Sequence, residues 1–175
     1  MQTYEFTFVV GNVDPHADDF EDRFFEAGCD DATLVLMHGA AAACFSRCAE
    51  TYKDAVFSAY EDIQKAGACI ERFEPDYLVN SRDIASRAGL SPQAVSLYAK
   101  GERGENFPKP RVRVTTAHPL WDWVEVSRWL VRRGQIDEKE YREAQLSRVI
   151  NFGAQRGEDY ETIRKSADAV LSEAV

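Results

Sequence analysis

Apolar and polar positions alternate at period two from Tyr4 to Val10. Tyr4, Phe6, Phe8 and Val10 share one face and predict a strand. The spacing then lengthens: Phe20, Phe24 and Ala27 predict a helix over 16–27 with these three inward. TLVLM at 33–37 is a short apolar strand, and His38 and Gly39 turn the chain into a second one, AAACFSRCA. Tyr52, Val56, Tyr60 and Ile63 follow at spacings of four, four and three, which predicts a helix over 51–66. ACIERFE at 68–74 closes the series as a last strand, giving the order β-α-β-β-α-β. The expected fold class is α+β. Three parts are expected: a first domain over 1–75, a second over 76–134 and a helical segment over 135–175, with EPDYLVN at 74–80 as the only linker.

The period changes again in the second part. From Ser81 to Lys100 the chain reads SRDIASRAGLSPQAVSLYAK, with Ile84, Ala88, Leu90, Val95 and Tyr98 on one helical side. Ala85 is small enough for a second helix to approach, and Gly89 suits a tight turn at positive φ. Ser81 is the candidate N-cap of the first helix. Ser91 is that of the second, with Pro92 at its first position, and Gly101 is a C-terminal stop. Two short helices joined by such a turn make a helix-turn-helix, whose second helix would present Gln93, Ser96, Leu97 and Lys100 outward. After it, Phe107 to Pro110 form a stiff connector. RVRVTT at 111–116 alternates Arg111 and Arg113 with Val112 and Val114 and predicts a strand; Ala117, His118 and Pro119 turn it, and Leu120 and Trp121 begin the return. Asp122 with Glu125 reads as a capping box before a helix whose inner stripe is Val126, Trp129 and Leu130, ended by Gly134.

Ile84 through Val95, FPKP at 107–110 and WDWVEVSRWL at 121–130 together resemble the winged helix-turn-helix of the MerR and excisionase-like group, over roughly residues 77–134. The connector AKGERGENFPKP is longer than in many relatives, so the angle between recognition helix and wing is open. The order of elements in the first 75 residues is that of a ferredoxin-like domain. The resemblance implies double-stranded DNA as partner. The exposed residues take roles accordingly: Gln93, Ser96 and Leu97 read base edges, while Ser91 and Pro92 at the helix N-terminus hold a phosphate. Lys100, Arg103, Arg111, Arg113 and Thr115 grip the sugar-phosphate backbone.

Charge changes the picture by its distribution. The chain carries a net charge of −9, yet residues 78–134 hold ten Lys or Arg against five Asp or Glu, while residues 1–77 hold five against sixteen. The basic excess sits on the part expected to meet phosphates. Asp18, Asp19, Glu21 and Asp22 make an acidic face on the first domain. It reads as a solvated helix face or as a docking surface for a basic partner protein such as a toxin.

Cys29, Cys44, Cys48 and Cys69 lack the close C-x-x-C pairs of a zinc site, and Cys44 and Cys48 share one face of a strand; free thiols in a reducing cytoplasm are expected. No phosphate-cradling glycine loop or nucleophile elbow is present, and His16, His38 and His118 are scattered, so neither an enzyme nor a cofactor is expected. No apolar run reaches membrane-spanning length and MQTYEF lacks the regions of a signal peptide, so a cytoplasmic protein without membrane partners is expected. In the last part, Asp137 and Glu140 read as a capping box before a helix over 138–153 carrying Tyr141, Ala144, Val149 and Phe152. A second helix begins at Asp159, with Tyr160, Ile163, Ala167, Val170 and Leu171. Neither sustains heptads; they cover the winged module or pair two chains. The function expected is a sequence-specific transcriptional regulator, a homodimeric repressor. The rivals are a DNA-binding antitoxin, an excisionase-like architectural protein that bends DNA, and a ligand- or protein-binding adaptor whose helix-turn-helix has lost DNA contact.

Overall fold

In the computed structural model, which describes residues 1–173, β1 (Gln2–Gly11) turns Phe6, Phe8 and Val10 inward and leaves Thr3 and Glu5 in solvent. The first helix does not follow at once: the chain first turns over residues 14–19, the Ala17 N–H donating to the Asp14 carbonyl at 3.2 Å. The helix α1 then runs Phe20–Glu26, shorter than the one expected over 16–27. Pro15 and the Asp18–Asp19 pair favour turns over a helix interior. β2 (Ala32–Met37) and β3 (Ala40–Ala49) form a hairpin through His38 and Gly39, both at positive φ, as a two-residue loop requires. α2 (Tyr52–Lys65), capped by the Thr51 hydroxyl, and β4 (Cys69–Glu74) follow. The sheet order is β2-β3-β1-β4, antiparallel throughout.

The chain beyond β4 continues with β5 (Leu78–Val79), α3 (Ser81–Arg87), α4 (Pro92–Ala99), β6 (Trp121–Asp122), α5 (Trp123–Val131), α6 (Glu138–Arg156) and α7 (Tyr160–Ser172). The protein is α+β, with seven helices among the described residues. It divides into two compact units. Unit 1 is Met1–Pro75 with Val149–Ala169; unit 2 is Asp76–Arg148 with the chain from Val170. Residues of the helical segment expected over 135–175 fall in both units. No helix among the described residues is long and apolar enough to cross a membrane.

Unit 1 is built on aromatic packing. Phe8 lies 4.9 Å from Phe73 and 5.8 Å from Tyr60, and Phe6 stacks on Phe45 at 5.4 Å. Such pairs each add about 0.5–1.5 kcal/mol beyond the area they bury. From α7, Tyr160 meets Phe57 edge-on at 5.7 Å, and Ile163 and Ala167 are fully buried. From α6, the apolar Phe152 is exposed, and the polar Asn151 is buried. Its side chain accepts from the Phe73 N–H at 2.7 Å and donates to the Phe73 carbonyl at 3.0 Å, satisfying backbone that a further strand would otherwise pair.

One inward position of β3 carries a charge. Arg47 is only 7% exposed. Its guanidinium donates to both Asp31 oxygens, to Asp62 at 2.8 Å, to the Ser58 hydroxyl at 3.2 Å and to the Gly28 carbonyl at 2.8 Å. Burial opposes its charge, but the hydrogen bonds to Asp31 and Asp62 outweigh burial and raise its pKa.

All four cysteines are free. Cys29 is buried, and burial followed by the negative charge of Asp62 pushes its thiol up to about 12. Cys48 and Cys69 are exposed. At about pH 8, N-ethylmaleimide is expected to label Cys48 and Cys69 first and to leave Cys29 untouched in the folded chain, because the thiolate is the reactive form. Peptide mass mapping over time checks the order.

Unit 2 folds the stretch read as a linker. Leu78 pairs with Asp122 and Val79 with Trp121, and the Tyr77 carbonyl accepts from the Trp123 N–H at 2.7 Å. Val79, Ile84, Val95, Trp121, Val126 and Leu130 centre its core. The reason is apolar burial: Tyr77 and Val79 are buried, so the segment cannot stay in solvent as a spacer.

Candidate functional site

The site is built on α3, the turn after it, and α4. The N-cap of α3 is Asn80, one residue before the expected Ser81: its side chain accepts from Arg82 and Asp83 N–H groups, and the Asp83 carboxylate accepts from Asn80 N–H at 2.9 Å. This closed box outcompetes a lone serine. Gly89 has φ +62 and ends the first helix, with the Leu90 N–H returning to the Ala85 carbonyl at 2.9 Å. Ser91 caps α4 by accepting from the Ala94 N–H at 3.1 Å, with Pro92 at its start. Ile84, Ala85, Val95 and Tyr98 are buried. Ser91, Pro92, Gln93, Ser96, Leu97 and Lys100 are all exposed.

The long connector after α4 has a definite course. Tyr98, Phe107 and Trp129 form a ring cluster, with Tyr98 stacked on Phe107 at 5.7 Å and Trp129 edge-on to both at 5.0 and 5.1 Å. The Trp129 indole donates to the Glu105 carbonyl at 3.0 Å and the Trp121 indole to the Pro108 carbonyl at 3.1 Å. Gly104, at φ +71, is required twice over: a Cβ there would stand 3.0 Å from Trp129 and 3.1 Å from Tyr98. Arg103 lies over the Tyr98 ring, 5.4 Å from its centroid.

The expected wing strands are reduced to one bridge, Val112 with Leu120. Arg111 and Val112 both donate to the Leu120 carbonyl, at 2.8 and 3.2 Å, and Leu120 donates back to Val112 at 2.9 Å. Arg113 then takes φ +57 and the ladder stops. The alternating pattern fails here because Val112 and Val114 are exposed: no surface packs on the apolar face to reward extension. Trp121, expected on the return strand, pairs with Val79 instead. Glu125, expected in a capping box, pairs with Arg111, whose Nε donates to Glu125 Oε2 at 3.1 Å; Asp122 caps α5 alone, accepting from Val124 N–H at 2.9 Å.

A groove of about 870 Å³ opens between the start of α3, the outer face of α4 and the loop over 110–121. It is lined by Arg82, Pro92, Ser96, Lys100, Arg113 and His118 among others, and by no Asp or Glu. It gathers Pro92, Ser96, Lys100 and Arg113 from the expected set. Gln93 and Leu97 are exposed on the same helix but outside its lining, as are Ser91, Arg103, Arg111 and Thr115. Sequence reasoning missed Arg82 and the pair Asn80 and Ser81 beside it. No local signal singled out Arg82, since a cation in the first helical turn also occurs at Lys53 of α2 and Lys139 of α6. No protein-family model, curated protein or solved structure matches this chain.

Proposed function

We propose that unit 2 is a winged helix-turn-helix that binds double-stranded DNA in a sequence-specific manner, and that the chain is a transcriptional regulator acting as a homodimeric repressor. The observation that carries this reading is the groove. In a chain of net charge −9, Arg82, Lys100 and Arg113 converge on one concave surface without a single carboxylate in its lining. Such a surface attracts phosphates at a distance and fixes register on contact. The exposed face of α4 adds what base recognition needs: an amide at Gln93 that suits adenine and an apolar group at Leu97 that suits a thymine methyl. In this reading the wing is the short 110–121 loop, and unit 1 is a ferredoxin-like domain that supplies dimer or partner contacts.

The test is a gel shift of the purified chain on DNA from upstream of its own gene, over a range of salt. A discrete complex that survives nonspecific competitor is the expected result. A smear lost at moderate salt, or no shift, overturns the reading. Within a discrete complex, Gln93→Ala is expected to cost about 1–3 kcal/mol and to relax preference at one base pair. Binding-site selection with wild type and variant measures it; unchanged preference at every position removes Gln93 from base reading.

A further inference from the structure

The sheet of unit 1 treats its two edges differently. At β4 the Asn151 amide occupies the Phe73 N–H and carbonyl. At β2 no strand of the described residues lies beyond. The ladder from β2 to β3 runs through Asp31, Thr33, Val35 and Met37, since Ser46 N–H donates to the Asp31 carbonyl at 3.1 Å and the two-residue turn closes on Met37 and Ala40. The N–H and C=O groups of Leu34 and Leu36 therefore point outward along the open edge. Beside that edge, α1 and β2 enclose a groove of about 400 Å³ walled by Phe24, Phe25, Ala32 and Leu34. Phe25 is 66% exposed, and Leu36, at 48%, extends the apolar lip. Glu21, Asp22 and Asp30 line the groove, and no Lys or Arg does; Arg23 of α1 is turned to the Ala66 carbonyl at 2.6 Å.

We propose that this groove takes an extended, lysine- and arginine-rich segment of a partner protein, added as a strand to β2. Three features select that occupant. The outward Leu34 and Leu36 backbone groups are met by extended chain, as in strand-addition complexes. Phe25, Leu34 and Leu36 receive an apolar residue at alternate positions of the added strand. The carboxylates at the rim select basic residues next to it. A second copy of this chain pairing edge to edge is disfavoured, because Glu21, Asp22 and Asp30 of both copies would flank one seam. The inference stands on unit 1 alone and does not depend on the DNA reading.

The test pans a phage-displayed library of random nonapeptides against the full chain, then measures the most enriched peptide, synthesised with a fluorescein label, by anisotropy. Enriched peptides are expected to alternate apolar residues with Lys or Arg. Affinity is expected to fall at least tenfold in the Glu21→Lys/Asp22→Lys double variant and at least tenfold in Leu36→Pro, which removes an outward N–H. Should Leu36→Pro lose its native circular dichroism, the double surface variant decides. Enriched peptides without basic residues, no enrichment over an uncoated surface, or full affinity in the double variant overturns the proposal. Self-association of the wild-type chain that Leu36→Pro abolishes also overturns it, in favour of a second copy on β2.

Discussion

Arg47→Ala is expected to destabilise unit 1 by about 3 kcal/mol, the lower end of the range for breaking a buried ion pair. Arg47 sits at an inward position of β3 with its side chain 9% exposed, against Asp31 at 29% and Asp62 at 15%. Removing the guanidinium leaves two carboxylates facing one another's field with their main donor gone, along with the Gly28 carbonyl and the Ser58 hydroxyl. Two features hold the loss to the lower end: Asp31 keeps partial access to water, and Asp62 keeps Lys65 at 2.8 Å. Replacing Arg47 together with Asp31 and Asp62 by apolar residues is expected to cost less than the single change, since an apolar cluster has no charge to desolvate. Urea denaturation checks both: a lowered midpoint at unchanged slope for Arg47→Ala, and a smaller shift for the triple variant. A single variant as stable as wild type would show that the cluster carries no net stability.

If unit 2 binds DNA as proposed, the double variant Lys100→Glu/Arg113→Glu is expected to weaken that binding by about two orders of magnitude or more near 0.1 M salt. Each phosphate contact contributes about 0.9 to the slope of log affinity against log salt, so two lost contacts lower the slope by about 1.8, and reversal adds repulsion. Both residues line the groove, Lys100 from the end of α4 and Arg113 from the loop. Arg111→Ala is expected to do less. That side chain is already held by Glu125, so part of its charge is met within the unit. Anisotropy titrations at several salt concentrations separate the two variants by slope. Equal slopes for wild type and the double variant would take the groove out of the DNA interface.

Much of this protein follows from local pattern. The strand at Tyr4–Val10, the His38–Gly39 hairpin, the Gly89 turn and the Ser91 cap all depend on residues within a few positions of each other. The buried and exposed faces of α4 follow from helical spacing in the same way. Positions whose neighbours come from far along the chain behave otherwise. RVRVTT alternates as a strand should, yet forms one bridge, because pattern cannot supply the surface an apolar face needs. EPDYLVN looks like a linker until Trp121 arrives to pair with Val79.

The sequence by itself determined the α+β class, the order of elements in unit 1, the two helices and turn of the candidate site and the basic excess around them, since periodicity, capping and charge are written in contiguous residues. Only the tertiary structure decided that Arg47 is buried among carboxylates, that Asn151 covers one sheet edge while β2 stays open, and that Arg82, Lys100 and Arg113 meet on one groove. The buried cluster and the covered edge bring together residues 15 and 78 apart in the chain, separations at which hydrophobic burial, rather than any local preference, sets which side chains become neighbours.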